Sequence, residues 1–199
     1  DALRYRDFTN NAMIPELLKF ESILISLALR EKNTLQIGRT HGQHAEPITF
    51  GFAIAQYVSR LGSSILKIRK TAGNLRGKMA GAVGAYNASS LFFDDPVKFE
   101  EDVLSELDLK PSPISTQLVE AEFLVDYLSG ITAAFGILAN LADDMRHLQR
   151  NEIGEVGEFF ESKQVGSSTM PQKRNPINFE NIKSMWKEFM PRMMTIYMD

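Results

Sequence analysis

Residues 166–176, GSSTMPQKRNP, bring adjacent serines, a lysine, an arginine and an asparagine into one short polar stretch. A serine hydroxyl beside fixed positive charge can take up a proton if its alkoxide is stabilised, which makes Ser167 and Ser168 candidates for acid–base work. The stretch has no apolar period and carries Pro171 and Pro176, so it reads as a loop. Asn175 is a good N-cap and Pro176 a good first helical residue, which predicts a helix starting at 176. Its unpaired N–H groups and dipole would add to Lys173 and Arg174 and favour an anion. Taken alone, the stretch fits an anion-binding cap without chemical work as well as a catalytic loop.

Two other stretches are polar and lie at the ends of apolar segments: GRTHGQHAEP at 38–47 and ISTQ at 114–117. Loops on a rigid scaffold are where sites form. His41, between Thr40 and Gly42, reads by itself first as a structural hydrogen-bonding residue and second as a catalytic one. His44 and His147 carry less, and three histidines without ligand spacing do not make a metal site. The cationic run KIRKTAGNLRGK at 67–78 reads first as the solvated face and C-terminal end of a helix, ahead of a phosphate site. GAVG at 81–84 follows no strand and is not a nucleotide loop.

The elements that must position these residues are helical. Leu3, Phe8, Ala12, Leu17, Leu24 and Ala28 recur at helical spacing through residues 1–31, while Ile14, Phe20, Ile23 and Ile25 widen the apolar surface nearly all round. Pro15 must kink or split that helix. A second helix is expected from Pro47 to about 75, and residues 76–95, rich in glycine, read as an irregular connection. A short helix capped by the aspartates before Pro96 ends near 107, and KPSPIST at 110–116 reads as a linker. The three-and-four rhythm is cleanest over 120–151. A short helix is expected around 155–161, and a last one from 176 onward, interrupted at Pro191. The sum is an all-α bundle of long helices with no strand, treated as a single domain over 1–199. Helices this apolar on several faces predict self-association.

Composition narrows the partners. The chain has 199 residues, 44% hydrophobic, a net charge of -3 and no cysteine. It can build a core, has no global basic field for nucleic acid, and lacks disulfides and thiolate metal sites. No uninterrupted apolar stretch long enough to span a membrane and no signal peptide is visible. A small-molecule partner, no nucleic acid, no membrane and a cytoplasmic setting are the expectations.

GSSTMPQKRNP resembles the signature loop of the fumarase/aspartase superfamily, GSSxMPxKxNP, at every fixed position. GRTHGQHAEPITFG resembles a second signature segment, and its THG and HAEP…TFG are most similar to the adenylosuccinate lyase family within that superfamily. KPSPISTQ resembles a segment that helps hold the nucleotide there. The resemblance implies the central helical domain of such a lyase, a homotetramer with each active site assembled from several subunits. It implies β-elimination of fumarate from adenylosuccinate or the related succinyl-carboxamide ribotide, with no cofactor and no metal. Carried onto this chain, it makes Ser167 the base, His41 the acid and Glu180 the carboxylate that orients a histidine. Thr40, Gln117, Ser168, Met170, Lys173 and Asn175 would hold substrate. A third signature segment, with another histidine, would precede residue 1, and a C-terminal domain would follow. The expectation is therefore that this stretch alone has little or no lyase activity. Another superfamily member with a different succinyl or carboxymuconate substrate, and a non-catalytic oligomerising bundle, are the alternatives.

Overall fold

The computed structural model describes residues 1–159, 166–170 and 172–198. Its elements, in order, are α1 (Ala2–Phe8), a π-helical turn (Thr9–Met13), α2 (Ile14–Arg30), β1 (Leu35–Thr40), β2 (Gln43–Thr49), α3 (Phe50–Gly73), β3 (Arg76–Gly77), a 3-10 turn (Ser89–Leu91), α4 (Pro96–Glu106), β4 (Lys110–Pro111), α5 (Glu122–Leu148), α6 (Ile177–Phe189) and α7 (Arg192–Ile196). Helices dominate, as the apolar periodicity predicts and as the resemblance implies.

The break expected at Pro15 takes the form of the π turn. Pro15 lacks an N–H and its ring would strike the carbonyl one turn back at Asn11, so a wider turn just before it relieves the clash. At Pro191 the last helix divides into α6 and α7, also as expected.

Four expectations are corrected. Residues 35–49 form an antiparallel hairpin, β1 with β2, where the sequence reading had a loop with no strand. Pro47 lies in β2 and does not open α3; Thr49 caps that helix instead, its Oγ1 accepting from Phe52 N at 3.1 Å. Residues 155–158 are not helical, and the remainder of the helix expected at 155–161 falls mostly outside the described residues. The KPSPIST segment is less a linker than expected: Lys110 and Pro111 pair in parallel with Arg76 and Gly77. By length and composition α5 is the one described helix long and apolar enough to cross a membrane, with mean hydropathy 1.4 over its best window.

The chain divides into two compact units: Asp1–Ser22 with Gly62–Ile131 and Thr195–Asp199, and Ile23–Leu61 with Thr132–Met194. In the first, Ile14, Ile65, Ile68, Leu104 and Tyr127 are buried, and burying side chains of this size contributes about 1.5–3 kcal/mol each. The Tyr127 and Thr9 hydroxyls, both buried, meet at 2.6 Å, which resolves the polar cost of placing them there. In the same unit the glycine-rich connection is irregular, as read, and ordered by polar contacts. Glu100, only 2% exposed, accepts from Met79 N and from the Tyr86 hydroxyl. That bond, more than burial, pushes the Tyr86 phenol up to about 12.

In the second unit the core comprises Leu24, Ile54, Tyr57, Leu61, Ala139, Leu141 and Ala142. The last turn of α2 and the residues after it pass so close to the start of α3 that a Cβ on Gly51 would lie 2.3 Å from the Ala28 carbonyl oxygen. α6 lies on α5 through Trp186, which meets Phe135 edge-on at 5.8 Å and covers Gly136. The small-residue surface of α5 is what lets the indole approach. Lys183 of α6 adds an ion pair to Asp143 of α5. Burial pushes the Asp143 carboxyl up, but its bonds to Lys183 and Arg146 outweigh that and hold it below the usual range.

Candidate functional site

The 166–176 loop is closed from within. Asn175 Nδ2 donates to the Gly166 carbonyl at 3.2 Å, so the asparagine holds the two ends of the loop together and does not cap α6 as expected. Pro176 occupies the N-cap position, with no side-chain bond of its own. The cap comes from elsewhere: the Glu158 carboxylate accepts from Asn178 N at 3.0 and 3.4 Å. The predicted preference of this helix end for an anion is thus met by one of the chain's own carboxylates. Gln149, just past α5, ties the pieces together by accepting from Glu158 N at 2.8 Å and donating to the Arg174 carbonyl at 3.3 Å.

Ser167 is half-buried, and its Oγ accepts from two backbone N–H groups, Met170 N at 3.2 Å and Thr169 N at 3.4 Å. Donors aimed at a hydroxyl oxygen stabilise negative charge on it, which is the physical requirement for a serine to serve as a base. Ser168 is exposed next to it. A turn closed by Lys173 N on the Met170 carbonyl, at 3.0 Å, follows. Pro171 lies outside the described residues.

A cavity of about 870 Å³ adjoins the loop and brings together four of the predicted residues: Met170, Lys173, Asn175 and Glu180. Arg146, in the last turn of α5, and Arg150, just past its end, add positive charge to it, and Glu152 and Glu158 add negative charge. Glu180 lies in the first turn of α6 and is exposed. Ser167, Ser168, Thr40 and His41 are not among its lining residues. Sequence reasoning missed Arg146, Arg150 and Glu158. The arginines are four apart in the periodic 120–151 stretch, which puts them toward one side although α5 ends between them; nothing local singles out Glu158.

Thr40 and His41 stand at the tip of the hairpin. Thr40 ends β1 and pairs with Gln43, so the turn is His41-Gly42, with φ of 54° and 74°. Left-handed values at both central positions define a type I′ turn, for which glycine at the second position is the usual choice. The imidazole is exposed there. One carboxylate anchors β1 near both ends: Arg39, one pair in from the turn, pairs with Glu155, and Gln36 Nε2, near the base of the hairpin, donates to the same carboxylate at 3.0 Å. The Arg39 bond is the main reason the Glu155 carboxyl is held low. His44 and His147 are both exposed, and His147 contributes to the edge of the large cavity. Among the described residues no three histidine or acidic side chains are grouped as a metal site would require.

Gln117 belongs to the other unit and is exposed. Its backbone carbonyl and that of Thr116 accept from Lys78 Nζ, which also donates to the Gly81 carbonyl at 2.7 Å. The sequence reading gave Lys78 to a solvated helix end, and that is corrected. Lys67, Arg69 and Lys70 of the same run are exposed as expected, whereas Lys78 spends its three donors on backbone carbonyls.

The family described as Lyase matches residues 2–190. An adenylosuccinate lyase from Archaeoglobus fulgidus is 38% identical over 182 residues, which is 91% of this chain and 40% of that protein. The adenylosuccinate lyase of Thermotoga maritima is 38% identical over 188 residues, 94% of this chain and 41% of its own length. That of Bacillus subtilis is 36% identical over 189 residues, again 94% of this chain, and 42% of its own. The chain spans about two fifths of the length of these curated relatives. A match running through nearly the whole helical scaffold, with the closed serine loop and the histidine-tipped hairpin inside it, leaves one conclusion: the chain belongs to the lyase family of the fumarase/aspartase superfamily.

Proposed function

We propose that the chain supplies the helical catalytic portion of an adenylosuccinate lyase, which eliminates fumarate from adenylosuccinate and from the related succinyl-carboxamide ribotide in purine synthesis. The observation that carries this reading is Ser167, whose Oγ is held by two backbone N–H donors inside a loop closed by Asn175. The names and coverage of the relatives support the substrate class.

In this mechanism Ser167 removes a proton from the carbon next to a substrate carboxylate. The electron pair left behind forms the carbon–carbon double bond of fumarate as the carbon–nitrogen bond breaks, and His41 protonates the departing nitrogen. The intermediate carries extra negative charge beside its carboxylate, so fixed donors and cations are what it needs. Lys173 and Asn175, on the wall of the large cavity, are suited to supply them. Glu180 lies on the same wall, where a carboxylate can orient and charge a histidine. Thr40, Ser168, Met170 and Gln117 are assigned to substrate binding by the family resemblance.

The protein is further proposed to form a homotetramer in which each site draws on several subunits. Large apolar residues left exposed on its helices support this, among them Leu29 on α2 at 64%, Phe52 on α3 at 67% and Leu66 on α3 at 67%.

The test replaces the 189 aligned residues of the Bacillus subtilis relative with this chain and follows fumarate release by absorbance. We expect turnover from the chimera and a loss of about 10²–10⁴-fold on Ser167→Ala, the range of a general base. An active chimera that keeps its rate with alanine at 167 would overturn the assignment.

A further inference from the structure

We propose that Lys78 is a positioning residue, holding the 116–117 segment in place so that Gln117 is presented to substrate. The inference rests on the assignment of Gln117 to substrate binding made above.

The observations come from one compact unit and converge on one short segment. Lys78 Nζ donates to the carbonyls of Gly81, Thr116 and Gln117, the last at 2.9 Å. An ammonium group has three protons, and here all three go to backbone oxygens on two separated stretches of chain. Bonds from a charged donor are stronger than neutral ones, so the lysine clamps the two stretches together. Thr116 N closes the turn by donating to the Leu118 carbonyl at 3.2 Å, which leaves Gln117 at its tip with an exposed side chain.

The clamp has a rigid base. Glu100 fixes Met79, the next residue after Lys78, and Tyr86. Gly84 lies so close beneath the segment that an added Cβ would fall 1.8 Å from the Ser115 carbonyl oxygen. On the far side, the Ser112 hydroxyl donates its one proton to the Glu120 carboxylate, with the Ile114 carbonyl 3.1 Å from the same oxygen, which draws the 112–120 stretch into a closed loop. Ser112 and Ser115 are buried, while Ile114, Gln117 and Leu118 point outward. A loop pinned at both ends with one polar side chain at its tip is built to present that side chain. The lysine reaches the backbone carbonyl of Gln117 itself.

The experiment compares the chimera described above, which carries this chain in place of the aligned residues of the Bacillus subtilis relative, with its Lys78→Met, Lys78→Arg and Gln117→Ala forms, and with the Lys78→Met/Gln117→Ala double variant. Amide hydrogen exchange is read over 112–120, and adenylosuccinate binding is read by calorimetric titration. Lys78→Met is expected to speed exchange over 112–120 by about tenfold or more, as loss of charge-assisted bonds would, with exchange in α5 unchanged. Lys78→Arg should restore most of the protection. If Lys78→Met does not fold, Lys78→Gln, which keeps a neutral donor, is read in its place. Exchange over 112–120 equal to that of the parent overturns the proposal.

In the titration, Lys78→Met and Gln117→Ala should weaken binding by similar factors, and the double variant should be no weaker than Gln117→Ala alone. Further weakening in the double variant would mean that Lys78 meets the ligand directly, and would overturn a positioning role. A parent that binds while Gln117→Ala binds equally well would remove Gln117 from the substrate site. A parent that takes up no adenylosuccinate counts against the functional reading and leaves the exchange arm to decide on the clamp.

Discussion

Glu100→Ala tests the polar framework that orders the glycine-rich connection. The carboxylate is 2% exposed and is the acceptor for both Met79 N–H and the Tyr86 hydroxyl. Leaving a buried donor without its partner costs about 1–3 kcal/mol, and Met79 and Tyr86 retain some access to water, so a total of roughly 2–4 kcal/mol is expected. For a chain of this size each kcal/mol moves the midpoint by about 2–4 °C. The thermal unfolding curve followed by circular dichroism should therefore shift down by roughly 5–15 °C. Glu100→Gln keeps one acceptor oxygen and should lose less. Tyr86→Phe combined with Glu100→Ala should cost less than the two alone, because they share a bond. The same bond predicts a pH effect. With the phenol pushed up to about 12, its contribution is fully present below its ordinary value near 10 and is lost as pH rises through 12. Spectrophotometric titration should find the phenol of Tyr86 moving back toward 10 in Glu100→Ala. A melting point within about 2 °C of the parent would show that the carboxylate is not holding the connection.

Three further outcomes are expected. The Arg39–Glu155 pair holds the Glu155 carboxyl below 4.5, so its contribution is present above that value and disappears as pH falls through the lower folded pKa; melting curves against pH should show this drop in the parent and not in Arg39→Ala, and parallel curves would refute it. Glu158→Ala removes the acceptor for Asn178 N and should cost about 1 kcal/mol of stability, or about 2–4 °C, with Glu158→Gln retaining most of it. Gly51→Ala would set a Cβ against the Ala28 carbonyl and the Lys32 backbone, and should destabilise by about 1–3 kcal/mol in urea denaturation; a neutral result would mean the end of α2 is free to move.

The long helices were legible because a buried face repeats every three to four residues, as Ile54, Tyr57, Leu61, Ile65 and Ile68 do along α3. The hairpin was not. β2 reads QHAEPIT, and most of it is exposed, so it shows none of the alternation that marks a half-buried strand. What specifies it is the turn, and His-Gly is a weaker turn signal than Asn-Gly because histidine adopts left-handed backbone less often. The motif loop was legible in its residue types but not in its bonds. Asn175 looked like a cap because asparagine often is one, and it is used instead to close the loop on Gly166. The true cap, Glu158, lies twenty residues before its partner Asn178, a distance over which local rules carry no information. Lys78 was lost among neighbouring cations for a similar reason: its partners at 116 and 117 are close only in the fold.

The π turn at Thr9–Met13 changes the phase of the first helix. One residue inserted into an α-helix advances every following side chain by about 100°, because a turn takes 3.6 residues. Tyr5 and Thr9 are four apart, while Thr9 and Ile14 are five apart across the wide turn, and both Thr9 and Ile14 end up buried. An apolar pattern that seems to wrap nearly all the way round a single helix is thus better understood as two narrower stripes, one before the turn and one after it, set out of step by a single residue. Deleting one residue between Thr9 and Met13 would put the stripes in step and turn one of them away from the core it now serves.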